Sequence, residues 1–75
     1  MNSLDTVKSI LSKRGVDVSK LKEDDSLQEL GLDSLDLVET MLKIEEAVGV
    51  EFTSDEIVEL KTIRDVVNLI ETKKM

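Results

Sequence analysis

The chain has no cysteine, histidine, proline, tryptophan or tyrosine, and Phe52 is its single aromatic residue. Without cysteine there is no disulfide and no native thiol. Without histidine the usual general base near neutral pH is missing, and the soft nucleophile is missing with cysteine. A serine-hydrolase triad is therefore excluded. No residues have the spacing of a zinc site. The acids around Asp24, Asp25, Asp33 and Asp36 lack the glycine-centred calcium-loop pattern, so no metal site is expected. There is no glycine-rich phosphate loop, no repeat, no low-complexity tract and no strand alternation. No apolar run approaches the length of a membrane span or a signal peptide, which leads to the expectation of a cytoplasmic protein.

Bases are scarce in the middle of the chain. Residues 23–59 hold thirteen acids and one base, Lys43, within an overall charge of −7. Nucleic acid is a poor partner for such a surface, because phosphates are repelled, and a basic protein surface is a good one. The 75 residues make one small domain, 1–75. Its core is modest, so marginal stability and some core mobility are expected.

The apolar spacing is helical. A first helix is expected over about residues 4–14, capped by Ser3, with Leu4, Val7, Ile10 and Leu11 inward and Gly15 as its stop. Residues 16–33 have no sustained period and read as a long structured loop, with a short helical turn near Ser26–Glu29. A second helix is expected over 34–48, a short third over about 54–60 behind a Thr53/Glu56 capping box, and a fourth from Thr62/Asp65 to near Thr72. The fold class is all-α: a small bundle of three longer helices and one short helix, with the long loop between the first and second.

The stretch Glu29-Leu30-Gly31-Leu32-Asp33-Ser34-Leu35-Asp36-Leu37-Val38-Glu39 organises the rest. Gly31 turns the chain, Asp33 caps the second helix, and Asp36 is placed to reach back as in a capping box. Ser34 becomes the first helical residue, with its hydroxyl outward. Leu37, Met41, Ile44 and Val48 form one apolar stripe of this helix. Leu35, Val38 and Leu42 form another, bordered by Asp36, Glu39, Glu45 and Glu46. The longer stripe is expected in the core and the shorter one outside, suited to basic partners. Any covalent chemistry must use a group brought to the chain, and Ser34 is a plausible attachment point. A phosphate ester there meets free N–H groups and a positive helix end.

The run Leu30 to Glu39 resembles the signature of the acyl carrier proteins, here of the free-standing, fatty-acid-synthesis type. Gly15-Val16-Asp17, Gly49-Val50-Glu51-Phe52 and Thr62-Ile63 agree with it, so the resemblance covers nearly the whole chain. It implies a carrier with no catalytic residues of its own. Ser34 would hold 4′-phosphopantetheine, delivered covalently from coenzyme A by a phosphopantetheinyl transferase (holo-carrier synthase), with Asp33 and Leu35 beside it. The arm would carry acyl chains as thioesters. By the same resemblance Asp33, Leu35, Asp36, Val38, Glu39, Leu42, Glu45 and Glu46 would dock onto basic patches of synthase enzymes such as the ketosynthase and malonyl transferase. Leu27, Leu37, Met41, Ile44, Phe52, Leu60, Val66 and Ile70 would line an acyl pocket. The carrier is expected to act as a monomer. Two alternatives stand beside it: a specialised carrier of polyketide, lipid-modification or aminoacyl units, and an unmodified acidic helical adaptor. Departures from the family pattern include Leu27 where Phe is common, Thr53 where Pro is common, and the apolar pair Ile57-Val58 in the third helix.

Overall fold

A computed structural model describes residues 2–74. Helix α1 spans Ser3–Lys13, α2 Ser34–Val48, α3 Ser54–Val58 and α4 Ile63–Lys74. Helix α1 packs against α2 and α4, and α2 also packs against α3. The core joins Val7 and Leu11 of α1, Met41 and Ile44 of α2, Ile57 of α3, and Ile63, Val66 and Ile70 of α4. Leu21, Leu27 and Leu32 reach into it from the long loop. Among the described residues, no helix is long and apolar enough to cross a membrane.

The helix ends refine the expected boundaries. The cap of α1 is Asn2, whose side chain accepts from the Asp5 N–H at 2.8 Å. Ser3 is instead a buried first helical residue, and its Oγ donates to Glu71 Oε1 of α4 at 2.6 Å. A buried hydroxyl needs such a partner. Helix α3 stops at Val58, and the Leu60 N–H turns back to the Ile57 carbonyl, since the chain must reach the cap of α4 two residues later. Its Thr53/Glu56 capping box is formed. At the start of α4, Thr62 and Asp65 exchange side-chain-to-backbone bonds, each of 3.2 Å. That helix runs on to Lys74, and Lys73 Nζ pairs with Glu56 Oε1 at 2.9 Å, tying it to α3.

The long loop is ordered by α4. The Leu27 N–H donates to the Lys61 carbonyl at 2.9 Å, the Ile63 N–H to that of Asp25 at 3.1 Å and the Arg64 N–H to that of Glu23 at 2.8 Å. Ser26 and Thr62 make one isolated antiparallel bridge, a pairing that too short a segment to alternate cannot signal. The helical turn expected near Ser26–Glu29 is present as a single turn, the Leu30 N–H donating to the Ser26 carbonyl at 3.2 Å, and it closes at once. The Leu32 N–H donates to the Leu27 carbonyl and the Gly31 N–H to that of Gln28. This is the bonding of a helix C-terminus with almost no helix before it. It requires the left-handed φ of +85° that Gly31 adopts. The chain then leaves the turn extended, at Asp33, and enters α2.

Candidate functional site

Asp33 caps α2, its Oδ1 accepting from the Asp36 N–H at 2.9 Å. Ser34 follows as the first helical residue and is exposed. It stands on a groove of about 570 Å³ between the long loop, α2 and the α3–α4 connection. Apolar walls come from Leu27, Leu32, Leu37, Val38, Ile57, Val58 and Leu60, with Ser26, Gln28, Asp33 and Lys61 as polar rim.

The two stripes of α2 separate as their lengths suggest. Met41 and Ile44 are fully buried, with Leu37 and Val48 packed partly against the core. Leu35, Val38 and Leu42 remain 67%, 38% and 51% exposed. Thr40 shares the inner face and is buried, its Oγ1 satisfied by the Asp36 carbonyl at 2.8 Å.

The acids bordering the outer stripe are not equivalent. Arg14, the C-cap of α1, places Nη2 3.0 Å from Asp36 Oδ1 and 3.1 Å from Glu39 Oε2. Asp36 therefore pairs across to α1, where a capping box would have turned it back on its own helix. Glu45 Oε2 accepts from the Phe52 N–H at 2.6 Å and so holds the α2–α3 connection. Glu46 is exposed and has no such bond among the described residues. Elsewhere, Asp17 accepts from both the N–H and the hydroxyl of Ser19, which hold its carboxyl below the ordinary value. Glu56 is likewise lowered, first by the Thr53 N–H and then by Lys73.

Of the eight residues expected around an acyl chain, Leu27, Leu37 and Leu60 line the groove. Met41, Ile44, Val66 and Ile70 are closed behind it in the core, and Phe52 is half-buried against that core. The sequence reading left out Leu32, Ile57, Val58 and Lys61 as groove residues. Ile57-Val58 carried a signal: neighbours on a helix lie about 100° apart, and of this pair Ile57 is buried while Val58 is 74% exposed. Among the described residues, no three acids cluster so as to hold a metal.

Known proteins resemble this chain in sequence and in fold. The family described as phosphopantetheine attachment site matches residues 5–70. An acyl carrier protein of Coprothermobacter proteolyticus is 44% identical over 50 residues, which cover 67% of this chain and 61% of that protein. The matched stretch thus spans less than two thirds of the relative's length. The crystal structure of the acyl carrier protein of Thermotoga maritima shares the fold, with a TM-score of 0.88 at 22% identity over 95% of this chain and 85% of that one. The solution structure of the 3,7-dioxo-octyl actinorhodin acyl carrier protein of Streptomyces coelicolor has a TM-score of 0.81 at 28% identity, covering 93% of this chain and 87% of that one. Fold and match define a helical carrier-type domain. The chain belongs to the phosphopantetheine attachment site family. An exposed hydroxyl at a helix start, on an open and mainly apolar groove, fits the group for which that family is described.

Proposed function

We propose that the protein is an acyl carrier for fatty-acid synthesis, holding 4′-phosphopantetheine from coenzyme A on Ser34. The group supplies a terminal thiol, able to hold acyl chains as thioesters, which this chain lacks. One observation carries the reading: in a chain of the attachment family, Ser34 presents an exposed hydroxyl at the start of a 15-residue helix beside an apolar groove.

Ser34 Oγ is the atom that would bond to the pantetheine-side phosphorus of coenzyme A as its diphosphate P–O bond breaks and 3′,5′-adenosine bisphosphate leaves. With no imidazole or thiol in the chain, a phosphopantetheinyl transferase must supply the base that takes its proton. Ser34 and Leu35 place first-turn N–H groups and the positive end of α2 beside the phosphate position. Asp33 and Asp36 oppose that charge, which suits them to contact the transferase or its metal. Leu35, Val38 and Leu42, with the acids along α2, face basic synthase enzymes such as the ketosynthase and malonyl transferase. Leu27, Leu37 and Leu60 begin the lining for an acyl chain. Met41, Ile44, Phe52, Val66 and Ile70 join it only when the helices part. The chain itself does no catalysis, and it acts as a single-domain cytoplasmic monomer.

Incubation with coenzyme A and a carrier-protein phosphopantetheinyl transferase is expected to add one arm, read as a single increment in intact mass, and Ser34→Ala is expected to stay unmodified. Equal modification of Ser34→Ala overturns the reading. A second reading, a specialised carrier, is favoured by the 28% identity to the actinorhodin carrier, whose structure bears a 3,7-dioxo-octyl group. Loading by a malonyl transferase supports the first reading, and loading by an adenylating ligase the second.

A further inference from the structure

We propose that the seam between α1 and α2 is a further docking surface, for an acidic amphipathic helix of a partner protein. The carboxylates of that helix meet Lys13, Lys43 and Lys74, and its apolar side chains enter the groove between those lysines. The surface lies away from Ser34 and does not depend on the assignment of that residue.

Helices α1 and α2 pack side by side, with Arg14 at the end of one meeting Asp36 and Glu39 of the other. Beyond that contact the seam opens into a groove of about 460 Å³, lined by Ile10, Lys13, Arg14, Lys43, Glu46 and Ala47. A second groove of about 480 Å³ continues it, sharing Ile10, Lys13 and Ala47 and adding Val48 and Lys74. The trough gathers four of the chain's ten bases and one of its seventeen acids. On a chain of net charge −7 that is a local reversal of sign.

Three of these cations are uncommitted. Glu39 lies one helical turn before Lys43 and is its natural partner on α2, but Arg14 takes it. Among the described residues, Lys13, Lys43 and Lys74 make no ion pair. The acids around Ser34 do not cancel their pull on a bound partner, because charges more than about 8 Å apart are screened at physiological salt. Lys43 and Ala47 stand about 14–20 Å along the axis of α2 from Ser34.

Shape selects among anionic partners. A bilayer takes up apolar side chains that protrude, whereas Ile10 and Val48 are half-buried here and Ala47 is short. The apolar part of the seam is thus a floor, which receives side chains. An amphipathic helix lying in the trough supplies them one turn apart, and carboxylates on its border match the lysines. A partner seated there leaves the Ser34 end of α2 open, so the chain can be held at its back while its front is in use.

The test is a titration of the isotope-labelled chain with two synthetic helical peptides. Both carry leucines one turn apart, bordered by glutamate in one and by glutamine in the other. The glutamate peptide is expected to shift the amide signals of Ile10, Lys13, Lys43 and Ala47 and to leave those of Ser34 and Leu35 in place. The glutamine peptide is expected to bind about tenfold more weakly. Lys13→Gln combined with Lys43→Gln and Lys74→Gln is expected to raise the Kd of the glutamate peptide about tenfold, less as salt is added. Ala47→Gln fills the groove without changing its charge and is expected to raise that Kd about fivefold, which separates a groove from a diffuse cationic surface. It decides the matter if the triple variant fails to fold. No shifts at millimolar peptide, shifts centred on Ser34, equal binding of the two peptides, or a parental Kd in the folded variants overturns the proposal. Loss of the same amide signals on adding phosphatidylglycerol vesicles, without a peptide effect, assigns the trough to a lipid surface and equally overturns it.

Discussion

The two faces of α2 have similar side chains and opposite fates. Met41 and Ile44 lie wholly inside, while Leu35 and Leu42, on the same fifteen residues, are more than half exposed. The inner face is matched by apolar residues of α1 and α3, while Leu35 and Leu42 on the outer face stay open. Leucine is thus no guide to its own burial. What decides is whether a second element arrives to cover it. An exposed apolar strip costs a monomer solubility, and the acids around it offset that cost.

The sharpest way to break this comparison is to truncate one residue on each face. Ile44→Ala is expected to destabilise by about 2–5 kcal/mol, because it leaves a cavity in a core this small domain can hardly spare. Leu42→Ala is expected to stay within about 0.5 kcal/mol of the parent. Urea unfolding of both variants measures the difference, and equal losses would mean that the outer stripe is covered in solution. A smaller effect sharpens the account of the acidic border. Arg14→Ala is expected to cost under about 1 kcal/mol, since both of its pairs are partly solvated. It also releases Asp36 and Glu39, and should lower the transferase KM at low salt. An unchanged KM would mean that those two acids do not meet the partner.

The smallest expected effect comes from Glu56. Its carboxyl is held below the ordinary 4.5, so the folded state binds that proton less readily than the unfolded chain. The resulting stabilisation is present above that pH and is lost as pH falls through the lowered value. Glu56→Gln is therefore expected to show a shallower loss of melting temperature on acidification than the parent. An identical slope would mean that the Thr53 and Lys73 contacts contribute nothing to folding.

Much of this was legible in the residue pattern, for reasons that differ by region. Asp33, Ser34 and Gly49 mark α2 so plainly that its bounds came out as expected, because cap and stop are local chemistry. The stripe of four announced the core side by its length. Ser3 misled, because Asn2 caps as well, and only the arrival of Glu71 shows why a serine is buried there. By its position just before Gly15, Arg14 is only a cation at a helix end. Its meeting with Asp36 and Glu39 depends on how α1 lies along α2, which no local spacing encodes. The acyl-pocket residues were named as one set, yet the fold divides them between an open groove and a sealed interior.

The stitching of residues 23–27 to residues 61–64 has a consequence for the order of assembly. A folding chain can wind α2, with its serine already at the tip, before the backbones of Lys61 and Arg64 come back onto those of Leu27 and Glu23. Until they do, the segment before the serine has no partner, and one wall of the groove is missing. Recognition of the folding chain by anything that needs that wall must await the last helix.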